Sequence, residues 1–569
     1  MKRLASILVL SIIVLSGFAG CSKNGINNTT EKIDINRTQL YVSNYNGGIG
    51  TEWLYEIKAR FEEEYKDYKF EPDTDKVGVQ LIINPNKDSG TTLTSTLPGS
   101  SDEVFFAEDI PYYDWVSKGM LADVSDVVKS AAAEGEETIE NKLTAEQRAM
   151  LTISDGKYYA LPHYEHVRGL QYDVDLFERK LLYFSMDENN GNQGFVTSVT
   201  EQRSLGPDGK TGVIDGIDYS LDDGLPSTYD EFFRLCDYMV QRNVIPFVWT
   251  GMYNDYTLYI EGAIFDAYST KTEASLALTF DSGDETVRVI TGFDGSGNPV
   301  IENVKVTEQT GYYVFQQAGR YYGLDFLRRM LSDKRYYHTL SIDSTFSHLD
   351  AQEQFIYSSL ENEPIAMLMD GNYWENEAAD AFNRSVADYG SRAENRRFAW
   401  MPLPRRADEE SSAASDRAVM TDSARSYAFI NATVESDPDK LNLAKMFLRY
   451  CYSDTSLQEF TVETGLKKAV DYSLLPEQEE QLTYYAKSFW NYRKNADMVY
   501  NLSGNAIFMN NETTFTKNIW SSQAGSSYAY PYNAFRSSGG MTTKEYFEGM
   551  WLTSSEWTDR YRQHFTESD

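Results

Sequence analysis

His163-Tyr164-Glu165-His166 invites a metal reading, with two imidazoles and a carboxylate in four residues. The histidines stand three apart, after Pro162, in a stretch that reads as a strand. They therefore lack the helical H-E-x-x-H geometry that sets two imidazoles around zinc. No cysteine–histidine spacing suggests zinc either. Residues 208–223 concentrate Asp and Gly, but without EF-hand spacing, so a plain acidic loop is favoured over calcium. No metal and no cofactor is expected. A hydrolase acting on glycosides needs only two placed carboxylates. Among 86 Asp and Glu no pair singles itself out, and no G-x-S-x-G or other catalytic signature appears.

The aromatic content offers a different chemistry: 41 Tyr, 29 Phe and 9 Trp in 569 residues. Most of these must be packing. Flat rings with polar edges are also surfaces on which sugars stack, because pyranose C–H faces are apolar and their hydroxyls point outward. The formal charge of −34 repels phosphate backbones and anionic headgroups, so nucleic acid is excluded as a partner. A neutral or cationic ligand is expected unless a local basic pocket overrides the net field. Cys236 and Cys451 fall on helix-like apolar stripes and read as small buried hydrophobes.

Strands and helices alternate through most of the chain. Strand-length apolar runs are VGVQLIIN (77–84), EVFFAE (103–108), KYYALPHY (157–164) and RGLQYDV (168–174). VIPFVWT (244–250), PIAMLMD (364–370), RFAWMPLP (397–404) and RSYAFINA (425–432) continue the series. Between them lie amphipathic helices. One follows Thr51, with Leu54, Ile57 and Phe61 at helical spacing. A second opens on a capping box of Thr228 and Glu231, and a third on Asp437-Pro438. Such alternation implies an α/β fold built from crossover units. Residues 187–225 and 405–424 read as surface excursions.

The N-terminus has a cationic start at Lys2 and Arg3, an apolar run from Leu4 to Leu15, and small residues before Cys21. That order is a secretion signal. Phe18-Ala19-Gly20-Cys21 resembles the lipobox of bacterial lipoproteins, although Phe18 replaces the usual leucine. The resemblance implies removal of residues 1–20 and a diacylated Cys21, with 21–36 as a flexible tether. The expected location is the outer face of the cell membrane.

Six segments in order resemble extracellular solute-binding proteins of ABC importers, in their sugar-binding branch. They are Ser43-Asn44-Tyr45-Asn46-Gly47-Gly48 with the Trp53 helix, VFFAEDIPYYDWVSKGMLADVSD, GKYYALPHYEHVRGLQYDVDLFE, PSTYDEFFRLC, PIAMLMDGNYWE and PDKLNLAKMFLRYCYSDTSLQEFTVETGLKKAVD. Asp173 replaces a usual asparagine, Lys468 or Ala469 a frequent proline, and the chain is longer than typical members.

The resemblance implies a two-lobed periplasmic-binding-protein-like fold of type II, with the ligand in a cleft between lobes joined by hinge strands. Lobe 1 would comprise 37–160 with 424–468, and lobe 2 161–423 with 469–569. Carried over by position, the cleft would hold Tyr45, Asn46, Trp53, Glu108 and Asp109 from the first lobe. His163 and His166 would come from the crossover, and Trp249, Asn254, Asp255 and Tyr256 from the loop after a strand. Asp370, Trp374 and Glu375 complete the set, with Trp374 expected to serve as the sugar-stacking platform. The implied function is capture of a carbohydrate, an oligosaccharide by chain length, by a monomer that delivers it to permease subunits. The alternatives are an exported glycoside hydrolase and a binder of peptides or other polar solutes.

Overall fold

The computed structural model describes residues 32–152, 154–361, 363–523, 530–536 and 540–565; the leader and Cys21 lie outside the described residues. The strands of the first half are β1 (Thr38–Tyr45), β2 (Val79–Asn86), β3 (Val104–Glu108), β4 (Ala160–Pro162) and β5 (Arg168–Asp173). The second half adds β6 (Ile245–Val248), β7 (Ile365–Gly371), β8 (Phe398–Trp400), β9 (Ala418–Asp422), β10 (Ser426–Ile430) and β11 (Ala496–Tyr500).

One sheet has the order β2-β1-β3-β10-β4, the first three parallel and β10 antiparallel to both neighbours. Its β3–β10 register sets Glu108 opposite Ser426. Helix α1 (Trp53–Glu64) packs here because Trp53, Leu54, Ile57 and Phe61 form one buried face. Burying each of these side chains stabilises by about 1.5–3 kcal/mol. A second sheet has the order β8-β5-β7-β6. Every residue of β7 is buried, as its unbroken apolar run requires of a strand covered on both faces. The second lobe also carries α2 (Tyr229–Gln241), α3 (Thr257–Tyr268) and α4 (Ala318–Ser332). Each strand-length run read from the sequence contains a strand, and Thr228 and Asp437 cap their helices as expected.

Two readings need correction. Residues 32–36 are not part of a free tether, because Gln80 bonds both Lys32 O and Asp34 N. The 405–424 excursion ends in a buried strand, β9, which pairs in parallel with β11, a strand the apolar-run reading did not identify. The α1 helix follows Thr51 as expected, with Glu52 at its N-cap position and no side-chain cap.

The lobes meet at three crossing segments. His163 N–H donates to Ser426 O (2.9 Å), Glu165 N–H to Lys467 O (2.9 Å) and Ser423 N–H to His166 O (3.1 Å). Residues 163–167, 422–426 and 466–470 thus form a small backbone-bonded hinge. Its lobe-2 anchor is Glu165, fully buried, which receives Arg493 Nε (2.9 Å), Arg493 Nη2 (2.8 Å) and Tyr500 Oη (3.1 Å). Asn372 adds a second tie, its Nδ2 donating to Glu165 O and its Oδ1 accepting from Val167 N–H.

Candidate ligand-binding cleft

On the lobe-1 side, β3 ends at Glu108 and the chain turns through Asp109 in the left-handed region (φ 58°). A non-glycine residue there is strained and needs outside support. Arg425 supplies it, bonding the Asp109 carboxylate with both Nε and Nη2 while its carbonyl accepts the Asp109 N–H. Glu108 accepts from Tyr164 Oη. Burial pushes the Glu108 carboxyl up to about 7, against the pull of Tyr164 and Arg425. Tyr45, at the end of β1, is pushed up to about 12 by burial and then by Glu108, Asp109 and Glu377. Glu377 belongs to the opposite lobe, so Tyr45 lies between the two. Gly48 (φ 55°) completes this rim; a Cβ there would lie 3.3 Å from Tyr164 Oη and 3.8 Å from Tyr373 Cδ2.

The lobe-2 side is a row of tyrosines. Tyr253, Tyr256 and Tyr259 are spaced by three across a short 3-10 turn (Asn254–Tyr256) leading into α3. In a 3-10 turn residues i and i+3 eclipse. The rings therefore stack, with centroids 6.4 Å and then 4.4 Å apart. Tyr253 is 46 % exposed and Tyr259 is buried, so the row runs inward from solvent. At its inner end Tyr373 packs on His166 (4.6 Å), whose Nδ1 lies 3.0 Å from Ser423 Oγ. Burial, then Arg168 and Arg425, hold His166 neutral, well below its usual pKa.

Carboxyls border the row. Gln352 Nε2 bridges Asp370 Oδ2 (2.9 Å) and Glu377 Oε2 (2.7 Å), and His348 Nε2 sits 3.5 Å from Glu377 Oε1. Burial, then Glu377, push Asp370 up to about 7; the Glu377 hydrogen bond raises His348. Such edges can donate to and accept from hydroxyls, since a neutral carboxyl presents both functions.

The expected site residues divide accordingly. Tyr45, Glu108 and Asp370 stand at or next to the ends of β1, β3 and β7, with Asp109 just after β3, His166 in the hinge and Tyr256 in the tyrosine row. Asn46, Asn254 and Asp255 are exposed at the ends of β1 and the tyrosine turn. The three tryptophans are corrected to core residues. Trp374 is fully buried among Phe355, Phe382, Phe398 and Tyr485, at centroid distances of 5.3–5.7 Å. Trp53 packs on Phe106 and Phe460, and Trp249 on Tyr337. None presents a face to the cleft. Glu375 accepts from Thr483 Oγ1 (2.7 Å) at the start of a helix, away from the tyrosine row. His163 is buried in the lobe-1 core against Trp53 and Lys468. The sequence reading missed Tyr253, Tyr259, Tyr373, Glu377, His348 and Arg425. The three-residue tyrosine spacing was a usable signal for the first two; the others come from distant segments.

No family model matches the chain, and no curated protein matches it. Among solved structures, maltose-bound MalE3 of T. maritima is 14% identical with a TM-score of 0.51, the alignment covering 92% of this chain and 100% of that one. A chitin oligosaccharide binding protein is 13% identical over 92% and 99% of the two chains (TM-score 0.48). Apo RafE from Streptococcus pneumoniae is 13% identical over 93% and 99% (TM-score 0.48). The likeness to MalE3 is one of fold: this chain has the two-lobed α/β architecture of that solved structure, with its lobes joined by hinge strands.

Proposed function

We propose that the chain is a lipid-anchored extracytoplasmic solute-binding protein that captures a carbohydrate, of oligosaccharide size, between its lobes. The observation that carries this reading is the stacked row Tyr253–Tyr256–Tyr259, ending at the hinge between carboxyl-bearing edges. The fold shared with a structure that holds maltose supports it further. Sugar rings would lie on the tyrosines, and hydroxyls would reach Glu108 and Asp109 from one lobe and Asp370 and Glu377 from the other. Asn46, Asn254 and Asp255 would contact the outer end of the ligand, and Tyr45 and His166 the inner end. A ligand touching both lobes favours closure, because only the closed form makes all contacts at once. The lobes would divide at the crossing segments 163–167, 422–426 and 466–470, within a few residues of the boundaries expected from the sequence.

Cys21 would carry the lipid that holds the protein at the outer face of the membrane. Among the described residues no helix is long and apolar enough to cross a bilayer. Permease subunits of an ABC importer would take the ligand from the closed form, and the protein itself would perform no catalysis. A thermal-shift screen against mono- and oligosaccharides and peptides tests the reading, since a ligand of the folded state raises Tm by mass action. A saturable shift with a sugar that is recovered intact supports it. A shift only with peptides, or consumption of the sugar, overturns it in favour of a peptide binder or a glycoside hydrolase.

A further inference from the structure

Beside the tyrosine row, at the hinge end of lobe 2, lies a cavity of about 150 Å³. Arg168, the first residue of β5, and Arg320, on α4, both line it, with Tyr259 and Trp520 on its walls. Ser423, of the hinge, lies at its edge, so it adjoins the cleft. Phe515, Thr516, Ile519 and Trp520 wall it from the C-terminal part of the chain.

The two arginines are unusual in what they lack. Among the described residues neither forms an ion pair, in a chain where acids outnumber bases 86 to 52. Arg168 stacks on the Tyr259 ring (4.6 Å), and its Nε is buried without a hydrogen-bond partner. Arg320 is 3 % exposed and uses only Nε within the protein, toward Val314 O (2.9 Å) and Gln317 Oε1 (3.3 Å). Its guanidinium carbon lies over Phe265 (4.5 Å) and Trp520 (4.9 Å), which fixes the plane. The Nη ends of both are thus left for something else. The carboxyl on the same wall, Asp266, accepts from Thr421 N (3.0 Å) and Oγ1 (2.9 Å) and attracts Arg320 through space, with no hydrogen bond or ion pair between the two among the described residues. A buried guanidinium with no hydrogen-bonded acid beside it is costly until a partner arrives.

We propose that this cavity is an anion subsite of the cleft, in which Arg168 and Arg320 receive the carboxylate or sulfate ester of an acidic sugar residue. Planar guanidinium groups match such oxyanions through paired N–H bonds, and aromatic stacking holds the fork in place beforehand. The ring of that sugar would continue from the tyrosine row. The protein's net negative charge does not forbid this, because charges beyond about 8 Å are largely screened at physiological salt. The inference rests on the carbohydrate reading and narrows it to acidic oligosaccharides.

The test is titration calorimetry on the full chain in a non-glycosidic detergent with four probes. Tetragalacturonate carries carboxylates, a carrageenan tetrasaccharide carries sulfate esters, and xylotetraose and maltotetraose carry no charge. The expected result is binding of an acidic probe that weakens as salt rises from about 50 to about 300 mM. Arg168→Gln should weaken it at least about tenfold and flatten the salt dependence. Arg320→Gln should do the same where it folds, and Arg168, being only partly buried, keeps the test decisive where it does not. Which acidic probe binds separates carboxylate from sulfate. Binding of a neutral probe in preference to both acidic ones, or an acidic probe indifferent to Arg168→Gln, overturns the subsite and leaves the carbohydrate reading standing. Failure of all four probes overturns the subsite, and a response to peptides alone in the thermal-shift screen overturns the carbohydrate reading with it.

Discussion

Lys468 Nζ lies 3.0 Å from His163 Nδ1, wholly buried, inside a cage formed by the rings of Trp53, Phe106, Tyr452 and Phe460. Both groups would normally carry or accept charge, yet each is held toward its neutral form. Burial lowers Lys468 to about 7, and burial with the neighbouring amine lowers His163. The pair sits where the third hinge segment joins lobe 1, so its protonation state bears on the joint between the lobes.

That pair predicts a direction of pH dependence. The unfolded lysine holds its proton up to about 10.5 and the folded one releases it near 7, so between these values the unfolded state binds more protons. Stability contributed by this site therefore rises with pH from about 7 to about 10.5 and is flat below 7. Lys468→Met should raise stability at pH 7 by about 1–4 kcal/mol and remove this slope. Urea unfolding at several pH values reads it; parallel profiles for the two proteins would refute the assignment.

Glu108 predicts the opposite slope. Its folded carboxyl keeps a proton to about 7 that the unfolded one releases near 4.5, so its contribution falls as pH rises through that window. Glu108→Gln should flatten stability between pH 4.5 and 7. An unchanged slope in denaturant titrations would place the titration elsewhere.

Trp374 and Tyr256 should separate packing from binding. Trp374→Ala opens a cavity beneath Phe355 and Phe398 and should cost about 3–5 kcal/mol of stability. Tyr256→Ala removes the middle ring of a half-exposed stack and should weaken sugar binding about tenfold with a much smaller loss of stability. The pair of Tm and Kd measurements checks this, and a Trp374→Ala protein of normal Tm but lost affinity would restore the tryptophan to the site.

Glu165→Ala should destabilise by about 3–5 kcal/mol, because it strands the Arg493 guanidinium beside the hinge. Adding Arg493→Met should recover part of that loss. A double-mutant cycle without coupling would mean the pair is not what anchors the crossover to lobe 2.

Cys21→Ser should move the protein from the membrane to the soluble fraction on cell fractionation. Retention at the membrane would argue for another means of attachment.

The alternation of strands and helices was legible in the chain because it is set by local periodicity: the β7 run PIAMLMD and the Thr228 capping box declare themselves within a few residues. The end of β3 at Glu108 was legible for the same reason, whereas Asp109 and the loop of Asn254, Asp255 and Tyr256 came from the family resemblance and the tyrosine row itself was not read. What stacks on what was not. A tryptophan in a loop after a strand reads alike whether it faces solvent or a core, and only the packing of Phe382, Phe398 and Tyr485 around Trp374 decides. Likewise Arg425 meets Asp109 from a distant part of the chain, and Arg168 stacks on Tyr259 and forms no ion pair among the described residues. Local propensity fixes elements; charge pairing and ring burial depend on which distant elements the tertiary fold brings together.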